Sequence, residues 1–156
     1  MKIRAALLRE VGAEGPYAQT RPLSIAEIEL DPPGFGEVLV RIKAAGLCHS
    51  DRSVSKGDRP RGVPIVLGHE GAGYIEEVGE GVTHLQKSDP VVIAYRAPCD
   101  QCPACRRGDP RHCYMALRPQ PRITRKSTGE TCSQVLRCGT FSTHTVVHAK
   151  AAIKMH

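Results

Sequence analysis

The stretch Gly68–Val82, GHEGAGYIEEVGEGV, decides the fold class. Gly71-Ala72-Gly73 could cradle a phosphate only if a helix followed, because the helix N-terminus supplies the N–H groups that hold the anion. Tyr74–Val78 reads instead as a strand, closed by Gly79 and Gly81. Gly34-Phe35-Gly36 is likewise followed by strand-like sequence. Nothing in these residues binds NAD by the usual glycine-loop route, and the chain shows no βαβ alternation.

Outward from this stretch, strands keep recurring. Residues 2–8 and 23–30 read as strands around a polar, Gly- and Pro-containing loop at 12–22. Asp31-Pro32-Pro33-Gly34 is turn punctuation, and Glu37–Ala44 then alternates with Val38, Val40 and Ile42 facing in. Ser50 or Asp51 is suited to cap a short helix running to about Ser55. Residues 90–94, 140–147 and 151–154 complete roughly seven short strands. Gly and Pro together make 27 of 156 residues, and aromatics only 4%. Many turns and an aliphatic core follow. The fold class is mainly β: a partly open barrel with short helices.

The length fits one domain, residues 1–156. No run approaches the roughly 18 apolar residues of a membrane span. The apolar segment Ala5–Leu8 is broken at once by Arg9 and Glu10, so no secretory signal is read and a cytoplasmic location is expected. The net charge is +6. The excess sits in the stretch Arg106–Lys126, with seven basic residues and one acid, Asp109. A single aromatic, Tyr114, falls among those charges, too few for a stacking platform, so nucleic acid is not the expected partner.

Cys99, Cys102, Cys105 and Cys113 fall in CDQCPACRRGDPRHC, spaced C-x2-C-x2-C-x7-C. Four thiolates this close suit one tetrahedral zinc, and a full set of four ligands makes such a site structural. Disulfides fit poorly with seven cysteines in a cytosolic chain. An iron–sulfur cluster and cysteines without metal stay open beside zinc. Two more metal-capable residues, Cys48 in GLCHSD and His69 in GHEGAG, follow or adjoin predicted strands. Taken alone, a buried thiol and a satisfied imidazole are the better reading of these two residues.

Together these motifs resemble the medium-chain, zinc-dependent alcohol dehydrogenase family. GHEGAGYIEEVGEGV is similar to its zinc signature, GLCHSD to the segment with its first catalytic ligand, and the four-cysteine stretch to its structural zinc lobe. DPPGFGE (31–37) and GTFSTHTVVH (139–148) resemble it too. The resemblance implies the GroES-like catalytic domain of that family, with a zinc lobe at about 95–115. It implies Cys48 and His69 as ligands of a catalytic zinc that would act as a Lewis acid on an alcohol. The alcohol would become an aldehyde or ketone, with hydride passing to NAD(P). Ser50 would take the alcohol proton, Asp51 would orient His69, and Glu70 would lie beside the metal and ligate it transiently. His49 would lie near the cofactor pyrophosphate. A small alcohol or aldehyde is the implied substrate.

Several departures bear on those expectations. The family's Rossmann cofactor domain and third cysteine ligand follow the segment matching Lys154, and are absent from this sequence. Cys132 and Cys138 precede the strand at Thr140, where the family has no ligand, and stay unassigned. Ser53 stands where many members carry a relay histidine. Ser88-Asp89-Pro90 replaces a more usual Gly-Asp-x, which is costly if position 88 needs a positive φ. The expectation is a catalytic portion that is inactive alone, exposes apolar surface, and works with a complementing chain or as a homo-oligomer. The alternative is a non-enzymatic zinc module that binds another protein or a nucleic acid.

Overall fold

The structure is a computed structural model and describes residues 1–115, 123–125 and 130–155. Ten strands run through it: β1 (Lys2–Leu8), β2 (Leu23–Leu30), β3 (Glu37–Gly46), β4 (Ile65–Val66), β5 (Glu70–Val78), β6 (Pro90–Ile93), β7 (Ile123–Arg125), β8 (Glu130–Gln134), β9 (His144–His148) and β10 (Ala152–Lys154). Three short helices are α1 (Tyr17–Thr20), α2 (His49–Lys56) and α3 (Pro103–Arg106).

Five strands form a closed ring in the order β1-β2-β7-β8-β4, with β4 returning to β1 through Leu7↔Val66 and Leu8↔Ile65. The other five form an open sheet, β10-β6-β5-β3-β9. The fold is thus mainly β, with the open and closed halves expected of a partly open barrel. Three strands beyond the expected seven are β4, β7 and β8. Each is two to five residues long, too short for a clear alternation; β4 pairs with the distant β1 and β8, and β7 with the distant β2 as well as with its neighbour β8.

β3 is the wall shared by both halves. Val38 and Val40 pack with Ile75, Val91 and Val147 in one apolar cluster. Leu39, expected to face outward, is buried with Ile3, Leu7, Ile28 and Val66 in the ring's cluster. Period-2 alternation fails where a strand is covered on both faces. Ile42, expected inside, is only partly buried. Each fully buried aliphatic side chain contributes roughly 1.5–3 kcal/mol.

The 140–147 strand begins later than expected, at His144. The preceding residues tie the halves together instead: Thr140 and Phe141 N–H groups donate to the Gly68 and Leu67 carbonyls, and Ala6 N–H donates to the Phe141 carbonyl. The loop at 12–22 contains the helical turn α1. In the basic stretch, Arg118, Arg122 and Lys126 lie outside the described residues.

Candidate metal centres

The four cysteines of the lobe converge. The sulfurs of Cys99, Cys102, Cys105 and Cys113 all lie within 4.8 Å of one another. A tetrahedron with metal–sulfur bonds of ~2.3 Å has edges of ~3.8 Å, so a small contraction seats an ion. The turn holds the donors before any ion arrives. Cys102 N–H donates to Cys99 Sγ at 3.3 Å, and Cys99 N–H to Cys113 Sγ at 3.4 Å. Pro103 opens α3, which carries Ala104 and Cys105, and the 3-10 turn Pro110–His112 delivers Cys113.

Backbone N–H groups also prepare the thiols. The Cys105 N–H, chiefly, draws Cys102 down to about 6. Cys99 is lowered first by the Gln101 N–H. Burial, the largest cause, and the neighbouring thiols push Cys105 up to about 12. Among the described residues, the apolar cluster of the lobe consists of the thiols and Ala104. Too little apolar surface is gathered there to fold the lobe, and a bound ion would supply the missing cross-link. None of the seven cysteines is in a disulfide.

The second centre is built where β3 ends and β5 begins. Cys48 occupies the N-cap of α2, two residues ahead of the expected cap Ser50 and three ahead of Asp51. Asp51 is instead the third helical residue, and its carboxylate reaches back. It is 1% exposed and accepts N–H bonds from Cys48 at 3.2 Å and Gly68 at 3.0 Å. Those two residues adjoin or supply the metal-capable side chains. Gly68 has φ +85, and a Cβ there would press on Phe141 and Thr140, so the turn into His69 requires glycine.

His69 is buried. Its Nδ1 lies 3.6 Å from Asp51 Oδ1 and is the buried side-chain atom left without a hydrogen-bond partner among the described residues. A proton on Nδ1 faces that carboxylate and leaves the Nε2 lone pair on the other side of the ring. Ser50 Oγ lies 3.4 Å from Nε2. Donor atoms of Cys48, His69 and Glu70 lie within 4.8 Å of one another. A thiol, an imidazole backed by a carboxylate and a second carboxylate are a donor set that fits zinc.

The structure therefore brings together Cys48, Ser50, Asp51, His69 and Glu70. His49 is exposed at the start of α2. Cys132 and Cys138 are buried in the two main apolar clusters, apart from these donors. Two residues at the site carry no sequence signal. Tyr95 stands edge-on to His69, ring centroids 6.2 Å apart at 84°. Thr140 Oγ1 donates to the Glu70 carbonyl at 3.2 Å.

A family model described as the alcohol dehydrogenase GroES-like domain matches residues 34–156. The chain belongs to that family. It is 42% identical to the S-(hydroxymethyl)glutathione dehydrogenase of a Synechocystis strain, over its whole length and 42% of the relative's. An Escherichia coli protein of the same name is 40% identical at the same coverage. The solved alcohol dehydrogenase zinc-binding domain protein of Burkholderia ambifaria superposes with a TM-score of 0.86 at 31% identity, over 100% of this chain and 42% of that one. Benzyl alcohol dehydrogenase from Acinetobacter calcoaceticus superposes with a TM-score of 0.80 at 29% identity, over 100% of this chain and 41% of that one. The chain thus spans less than half the length of these relatives. These matches do not favour the reading of a non-enzymatic zinc module. Among the described residues no helix is long and apolar enough to cross a membrane.

Proposed function

We propose that this chain is the metal-bearing catalytic portion of an NAD(P)-dependent alcohol dehydrogenase whose substrates are hydroxymethyl adducts of thiols, such as S-(hydroxymethyl)glutathione, and related primary alcohols. The convergence of Cys48, His69 and Glu70 over the buried carboxylate of Asp51 carries this reading. The names of the relatives supply the substrate class.

Cys48 and His69 would hold a catalytic zinc, with Glu70 beside it. Zinc bound there would supply Lewis acidity toward the substrate hydroxyl. Asp51 is a positioning residue: it fixes the backbone on both sides of the site through the Cys48 and Gly68 N–H groups, and its carboxylate stands beside His69 Nδ1. Ser50 is the catalytic residue that relays the alcohol proton: its Oγ takes that proton while its own hydroxyl hydrogen passes to solvent, which reaches this half-buried side chain. Tyr95 shields the edge of His69 from water. His49, exposed at the start of α2, would lie near the cofactor pyrophosphate. The lobe from about 95 to 115 would hold a second, structural zinc on Cys99, Cys102, Cys105 and Cys113.

The test joins this chain to the part of the Synechocystis relative that it does not span. NADH formation from S-(hydroxymethyl)glutathione is expected, with loss by at least roughly 100-fold on Ser50→Ala, within the range that proton transfer contributes. A folded, zinc-loaded chimera that reduces no NAD with this substrate overturns the reading.

A further inference from the structure

We propose that Gly46 is a positioning residue of the Cys48–His69 centre: by lacking a side chain, it gives the Glu70 carboxylate its seat beside the metal. This inference rests on the metal site proposed above and adds a residue to it.

Gly46 and Glu70 are cross-strand partners at the end of the β3–β5 ladder. Directly opposed residues in an antiparallel pair normally keep their Cβ atoms about 4.5–5.5 Å apart. A Cβ built on Gly46 would lie only 3.2 Å from the Glu70 Cβ and 3.5 Å from its Cδ, and would overlap Oε2 outright. The Glu70 side chain therefore does not extend away from the sheet. It folds across the face of Gly46, toward Cys48 two residues on. In that pose a carboxylate oxygen comes within 4.8 Å of the donor atoms of Cys48 and His69.

The backbone cannot withdraw to make room. Thr140 is buried, and its hydroxyl holds the Glu70 carbonyl. On the next residue, a Cβ at Gly71 would meet the Thr140 methyl group at 2.7 Å. With the backbone of 70–71 clamped, any side chain at 46 must displace the carboxylate. Gly46 has no positive φ, so no backbone conformation accounts for a glycine there. The space taken by Glu70 does.

The experiment counts zinc on the intact chain by native mass spectrometry under reducing conditions, with Zn(II) alone as the probe. The unaltered chain is expected to bind two ions and Cys48→Ala one. Gly46→Ala and Glu70→Gln should each weaken the second ion by roughly 10-fold or more, the usual effect of disturbing a group that supports a metal site. The ion on the four-cysteine lobe should persist in both and reports that they are folded. Thermal midpoints add a test that survives misfolding: Gly46→Ala should lose much more stability than Gly46→Ala/Glu70→Ala loses relative to Glu70→Ala. Additive midpoints, or a Gly46→Ala chain that holds the second ion normally, overturn the inference even where Cys48→Ala has removed that ion. A second ion indifferent to Cys48→Ala overturns the metal-site reading and this inference with it.

Discussion

Replacing Asp51 by Ala removes the acceptor of two backbone donors at once, the half-buried N–H of Cys48 and the buried N–H of Gly68. Hydrogen bonds to a charged group contribute about 1.5–3 kcal/mol each, and no water reaches a side chain 1% exposed to take over. The expected loss is about 3–5 kcal/mol, a large share of the ~5–15 kcal/mol that holds a domain together. For a chain of this size that is a fall in melting temperature of roughly 10 °C. Asp51→Asn keeps one oxygen and turns an amide donor on the other N–H, so it should lose about half as much. Both variants are measured by thermal unfolding with a chelator present, so that metal loss does not enter. A melting temperature for Asp51→Ala within about 1 °C of the unaltered chain would refute the role given to this carboxylate.

Three further outcomes are expected. Ser88 is exposed with φ +74, so Ser88→Gly should gain about 1 kcal/mol in urea unfolding while Ser88→Ala gains nothing; equal effects would mean that the backbone is not the cause. Asp89 has its pKa lowered first by Lys154, 2.7 Å away, and then by the Gln86 N–H. Its stabilisation is therefore full above the unfolded value near 3.8 and lost as pH falls through the lower folded value. Asp89→Asn should flatten that acid limb of the stability profile, and an unchanged limb would count against the pair. Stripping metal from the lobe should raise hydrogen exchange across 99–113 while Val38, Val40 and Leu7 keep their protection, because the lobe shares little apolar contact with the barrel.

Much of the fold was legible because its signals are short-range. β1 and β2 lie within the ranges that local pattern marks, and the spacing of four cysteines announced a closed cage. The rest depends on contacts that sequence order hides. Leu39 faces a second layer of structure, so its burial is invisible to alternation within β3. β4 and β8 exist because the ring closes, pairing Ile65 with Ser133. Ser88 was legible in advance: a serine where a glycine is usual marked the positive φ that the structure has. Cys48, His69 and Glu70 were singled out by their motifs, and the structure brings their donor atoms within 4.8 Å of one another. Tyr95 was not, since only the turn into the lobe brings its ring against His69. Gly46 was one glycine among fifteen until its strand partner was known.

The most direct test of the account is the number of zinc ions per folded chain and the residues that hold each. Two ions are predicted, one lost with Cys105→Ser and the other, independently, with Cys48→Ala or His69→Ala. A chain that binds a single ion, unaffected by Cys48→Ala, would contradict the catalytic centre.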